Sequence, residues 1–171
     1  MNRILTTGVV AVTHLALVGV AVAPQLSARL VGESYVMRVA PLDPIDPFRG
    51  AYVALDYPDL RHDGPDDQGS TTGATGGLGV IDDGDQGAVY VTLVQEGDVW
   101  VAGQWQRGRP ASGPYLACDD RSWRIRCGID SWFLPQDRAA EAERLLGDGA
   151  YAEVRVDSRG HAAVVDLREA P

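Results

Sequence analysis

Lysine is missing from this chain of 171 residues; all fifteen basic residues are arginine. A Ser-Lys hydrolytic dyad is therefore impossible. Histidine is scarce too. His14, His62 and His161 are scattered, with no His-x-x-x-His spacing and no close Cys pair, so no metal-ligand cluster is readable and no cofactor is expected. The segment from Asp82 to Gly87 misfits the EF-hand template and lacks its closing Glu, which argues against calcium. Positive charge is also short, with 24 acidic residues against 15 basic ones and a net charge of −9. Phosphate backbones would be repelled, which excludes nucleic acid as an expected partner.

What is present begins at the N-terminus. Ile4 to Ala23 contains no Asp, Glu, Lys or Arg. At a helical rise those residues span about 30 Å, the hydrocarbon thickness of a bilayer, so residues 1–28 are expected to form a membrane anchor through residues 4–23. The alternative is a cleaved secretory signal, since Ala21-Val22-Ala23 has the small-x-small form, but the apolar run exceeds a signal core and Pro24 follows the site directly. His14 lies near the middle of the span, where an ionisable group is a candidate contact with another membrane protein or a tolerated neutral residue. Either way residues 29–171 lie beyond the membrane, at the plasma membrane and outside the cytoplasm, and suffice for one domain.

Within that domain, period-two alternation predicts strands. Tyr35, Met37 and Val39 share one face of a first strand, and Ala51 to Tyr57 form a second after a stiff loop held by Pro41, Pro44 and Pro47. Residues 61–87, rich in Gly and Asp with little to bury, read as a flexible insertion. Val89, Val91 and Leu93 predict one arm of a hairpin turning at residues 95–98; Val99, Val101 and Trp105 share a face of the other arm, opposite Trp100, Gln104 and Gln106. Alternation from Trp123 to Asp130 predicts a further strand. One helix follows, with Asp137 as N-cap, Ala139, Ala142, Leu145 and Leu146 on its apolar side, and Gly147 as its left-handed stop. Ala152, Val154 and Val156, a turn at residues 157–160, then Ala163, Val165 and Leu167 close the chain. The fold class is α+β: an N-terminal helix, then a mainly antiparallel β domain with one packed helix.

Cys118 and Cys127 lie outside the cytoplasm on this topology, where thiols oxidise, so a disulfide between them is expected. A tight hairpin at Asp119-Asp120 would leave Cys127 far away, so the bond demands a longer loop with Trp123 to Arg126 overhanging the sheet. Two separate buried thiols are the alternative.

The segment Gly50-Ala51-Tyr52-Val53-Ala54-Leu55-Asp56-Tyr57 resembles the signature of the GDYXXLXY family, bacterial membrane-anchored proteins of no established activity. The lead-in Asp43-Pro44-Ile45-Asp46-Pro47-Phe48 and the later run Gly128 to Pro135 resemble the family as well. Ala51 stands where the signature has aspartate, so this chain lacks that carboxylate. The resemblance implies a polytopic membrane protein as partner. From the residues themselves, Arg49 is placed to pair with Asp43 or Asp46, and Tyr52, Ala54 and Asp56 share the strand face opposite Val53, Leu55 and Tyr57.

The expected function is a non-enzymatic, membrane-anchored accessory or binding protein of the cell envelope. Its partner surface is drawn from Asp43, Asp46, Arg49, Gly50, Tyr52, Leu55, Asp56 and Tyr57. The alternative is an envelope hydrolase with a carboxylate site at Asp43, Asp46 and Asp56. Convergence of those three in one pocket would favour it.

Overall fold

The computed structural model describes residues 3–41, 52–61, 86–122, 125–133, 139–147 and 149–169. The 62–85 part of the insertion, and the expected N-cap Asp137, lie outside the described residues. Helix α1 spans Arg3–Val31. It is followed by β1 (Glu33–Pro41), β2 (Tyr52–Asp56), a 3₁₀ turn (Pro58–Leu60), β3 (Ala88–Glu96), β4 (Val99–Gln106), β5 (Tyr115–Asp119), β6 (Ser131–Phe133), α2 (Ala139–Gly147), β7 (Ala150–Val156) and β8 (Ala162–Glu169). The strands form two antiparallel sheets, ordered β6-β2-β1-β7-β8 and β4-β3-β5, so the α+β reading holds.

Helix α1 is longer than the apolar run that begins it, because Pro24 does not end it. Proline there removes one amide donor, a loss the flanking turns absorb. Residues Thr6–Val31, of mean hydropathy 1.9, are long and apolar enough to cross a membrane.

Both sheets contribute to one apolar core. Tyr35, Met37 and Val39 of β1 meet Val89, Val91 and Leu93 of β3, Leu116 of β5, Val154 of β7, and Ala142 and Leu146 of α2. The Tyr35 and Trp100 rings sit edge to face with centroids 4.9 Å apart, joining the two sheets. The alternating residues of β1 are buried as the sequence pattern requires, because β1 pairs with β7 from Glu33↔Val156 to Val39↔Ala150.

Four local expectations are corrected. In the hairpin, the register shifts between Val91↔Trp105 and Leu93↔Ala102. Directly opposed residues share a face, so Trp100, Ala102 and Trp105 turn to the core, while Val101 pairs with Val94 on the other side. Gly103 allows this bulge: a Cβ there would stand 2.7 Å from Thr92 Oγ1, which accepts the Gln104 amide at 2.7 Å.

Second, no strand lies within described residues 125–130; strands form on either side, as β5 and β6. Ile125, Cys127 and Ile129 do alternate inward, but Gly128 at φ 79° bends the backbone out of extended geometry. The alternation reported burial with a single bridge, Asp119↔Arg126, in place of a continuous ladder. Third, the left-handed residue after α2 is Gly149, at φ 89°, with its amide on Leu146 O. Gly147 is the last helical residue. Fourth, a register shift between Glu153↔Asp166 and Val154↔Val164 leaves Val165 without a partner in the ladder. Ala162 and Val164 therefore face the core beside Leu167, in place of Ala163 and Val165, and Ala163 is buried outside that cluster.

Candidate functional site

The signature strand divides its residues between core and surface. Leu55 and Tyr57 are buried, and the Tyr57 hydroxyl donates to Ile129 O at 3.1 Å. Burial, reinforced by the negative charge of Asp130, raises the Tyr57 phenol far above its ordinary range, so it stays a neutral donor. Leu55 N bonds Asp130 O at 3.0 Å, which ties β2 to the 125–130 segment. Replacing Tyr57 with Phe should cost about 1–2 kcal/mol, because Ile129 O loses its buried donor; a denaturant midpoint left unmoved would contradict this.

Asp56 sits on the other side of β2, ion-paired to Arg61, and Arg38 pairs with Asp59 at 2.7 Å. Tyr52 opens β2 opposite Phe133 of β6. Asp43, Asp46, Arg49 and Gly50 lie outside the described residues, so the structure brings together only the Tyr52–Tyr57 part of the expected surface.

Cys118 and Cys127 form the expected disulfide. The Asp119↔Arg126 bridge next to it puts the two cysteines opposite one another and pairs Arg126, expected to overhang the sheet, with β5; Trp123 and Arg124 lie outside the described residues. Asp120 is paired to Arg107 Nη2 at 2.7 Å and accepts the Gly87 amide at 2.6 Å. The Arg107 guanidinium first, and that amide second, hold the Asp120 carboxyl below its usual range. The loop-entropy relation assigns the crosslink ~2.7 kcal/mol. The Cys118→Ser, Cys127→Ser double variant should lose about that much, and an unchanged unfolding midpoint would show the crosslink to be energetically idle.

His14 Nδ1 lies 2.9 Å from Val10 O, one turn back along α1. No cluster of three metal-ligating side chains occurs among the described residues.

The densest polar constellation was not anticipated. It joins the end of α1 to the turn between β7 and β8. Asp157, whose side chain is 2% exposed, accepts the Ser27 hydroxyl at 2.6 Å, the backbone amides of Arg159 and His161 at 2.8 and 3.0 Å, and lies 3.1 Å from His161 Nδ1. Burial pushes its carboxyl up, but these hydrogen bonds, led by Ser27, outweigh burial and hold it below the ordinary value. Ser, Asp and His meet here without forming a catalytic triad. Ser27 and His161 both address the same carboxylate oxygen, whereas a nucleophile would need the imidazole as its base.

Other bonds brace the same junction. Gln25 Nε2 donates to Gly128 O and Ala162 O at 3.2 and 3.3 Å, and Arg155 donates to Gly32 O at 3.1 Å and to Arg29 O. Ala28 is fully buried, and a Cβ on Gly32 would lie 2.9 Å from the Val156 backbone. The readable signal was the pair of polar residues Gln25 and Ser27, on a helix that otherwise shows only apolar residues between His14 and Ala28.

Beside this junction opens a cleft of about 580 Å³. One wall carries Arg109, whose Nε donates to the Tyr115 hydroxyl at 2.5 Å and whose Nη2 donates to Ser158 O at 2.7 Å. Its guanidinium lies over the Tyr115 ring, 5.5 Å from the centroid. The other wall carries Glu33, which accepts the Tyr35 hydroxyl at 2.9 Å. Burial, then the Glu33 hydrogen bond and charge, push the Tyr35 phenol up to about 12. Val31, Val156, Asp157 and the 110–114 loop complete the lining. Arg109 and Glu33 thus face one cleft at the end of α1, with the buried Asp157 carboxylate, already engaged by Ser27 and two backbone amides, also in its lining.

A family model described as GDYXXLXY protein matches residues 14–167. No curated protein and no solved structure matches the chain.

Proposed function

The chain belongs to the GDYXXLXY family, and on that premise we propose a membrane-anchored, non-enzymatic accessory protein of the cell envelope, held outside the cytoplasm beside a polytopic membrane partner. The observation that carries this reading is the continuity of α1. One helix runs from an apolar segment of membrane-crossing length into a junction where Gln25, Ser27 and Ala28 are fixed to the β domain. A domain joined this way moves with its anchor, which suits a protein that works against a neighbour in the same membrane. The disulfide agrees with an oxidising compartment.

Support for a non-catalytic role comes from the signature strand. Leu55 and Tyr57 are committed to the core, and Asp56 is committed to Arg61. The test is photocrosslinking in intact membranes, with probes at exposed Leu26 and Leu30, for the wild type and for Tyr52→Ala. A discrete crosslink to one integral membrane protein, weakened in the variant, is the expected result. Absence of any position-dependent crosslink would contradict the accessory role.

A further inference from the structure

We propose that the cleft between Arg109 and Glu33 binds a zwitterionic phosphoethanolamine head group from the leaflet in which α1 ends. The inference rests on the membrane reading for the source of the ligand and on geometry for its chemistry.

Depth places the cleft at the right level. Head groups extend roughly 5–8 Å beyond the hydrocarbon on each side. Ser27 stands four residues past Ala23, about 6 Å along a helix, and it is bonded to Asp157, whose neighbour Ser158 lines the cleft and anchors Arg109. The guanidinium is therefore fastened at the level of lipid phosphates. Glu33 lies farther out, because β1 starts beyond the end of α1 and pairs Glu33 with Val156, one residue before Asp157. From the membrane outward, the order is cation then anion.

That order matches the head group. In phosphoethanolamine the phosphate lies nearer the glycerol and the ammonium lies outward, so the phosphate meets Arg109 and the ammonium meets Glu33. Arg109 is pre-set for the first contact: Tyr115 and Ser158 hold its Nε and Nη2, and no acceptor among the described residues engages Nη1. Glu33 gives one oxygen, Oε2, to Tyr35 and retains Oε1 for a donor. Exposed Val31 supplies an apolar wall on the helix side. A purely anionic head group would satisfy Arg109 but meet Glu33 as a like charge. A quaternary choline head group carries no N–H for Glu33. Both should bind less well.

The test uses the full chain reconstituted in nanodiscs of equal parts phosphatidylethanolamine, phosphatidylcholine and phosphatidylglycerol, with retained lipid read by native mass spectrometry. At least fivefold enrichment of phosphatidylethanolamine is expected. Glu33→Gln keeps the acceptor for Tyr35 and removes the charge, so it should fold and abolish that enrichment; Glu33→Lys should shift retention toward phosphatidylglycerol. Equal retention of the three lipids by the wild type, or enrichment that survives Glu33→Gln, would overturn the proposal. Soluble glycerophosphoethanolamine, titrated onto the detergent-solubilised chain, separates the two readings. Saturable binding by a chain that does not fractionate with membranes keeps the site and rejects the lipid source. No binding by a chain that does fractionate with membranes rejects the site alone.

Discussion

Gly160→Val should destabilise the protein by about 4 kcal/mol, the largest effect expected of any single substitution considered. Gly160 closes the β7–β8 turn at φ 83°, a conformation β-branched residues adopt only under strain. A Cβ there would stand 2.6 Å from the Tyr115 ring and 2.8 Å from Ala117 N, and the Gly160 carbonyl accepts that same amide at 2.9 Å. The side chain would therefore push apart a backbone hydrogen bond that joins the turn to β5, and would displace the ring that supports Arg109. Gly97→Ala is the matched control. Gly97 also has positive φ, at 62°, but nothing lies within 4 Å of its would-be Cβ, so the cost should be about 1 kcal/mol of backbone strain. Equal losses in the two variants, measured by thermal unfolding, would mean that close packing at Gly160 contributes nothing.

Asp157→Ala is expected to cost about 3 kcal/mol, because it strips acceptors from Ser27, from two backbone amides and from His161 in one step. The pH dependence follows from the depressed carboxyl. A carboxylate whose folded value lies below its unfolded value of about 3.9 stabilises fully above that value and loses the contribution as pH falls through the folded one. The stability gap between wild type and Asp157→Asn should therefore be widest above about pH 5 and should narrow on acidification below about pH 4. A gap that widened toward acid would reverse the assigned sign. The same variants should loosen α1 from the domain, since Ser27 loses its partner, and proteolysis near Gly32 should accelerate.

Sequence pattern carried the architecture well where burial and hydrogen bonding coincide. In β1, Tyr35, Met37 and Val39 are buried and paired, so period-two alternation reported both at once. It misled where the two separate. Ile125, Cys127 and Ile129 alternate because they lean on the core beside the disulfide, without a ladder partner beyond the Asp119↔Arg126 bridge. Bulges are the other source of error. The extra residues near Gly103 and Val165 each flip the residues that follow to the opposite face, and a one-residue shift leaves no mark in composition.

The candidate site was less legible for a physical reason. The signature residues stand out because they cluster in sequence, yet Leu55 and Tyr57 serve the core. The junction and the cleft draw on Ser27, Glu33, Arg109, Tyr115, Asp157 and Ser158, which only strand pairing brings together. The Asp157 to Gly160 segment was readable as a turn; its buried carboxylate, reaching back to α1, was not.

The most direct test of the whole account is alkaline carbonate extraction of membranes from cells producing the full-length chain. The protein should remain in the membrane pellet and enter solution only with detergent. Recovery in the carbonate supernatant, or in the soluble fraction before extraction, would contradict a helix that both spans the bilayer and carries the β domain on its end.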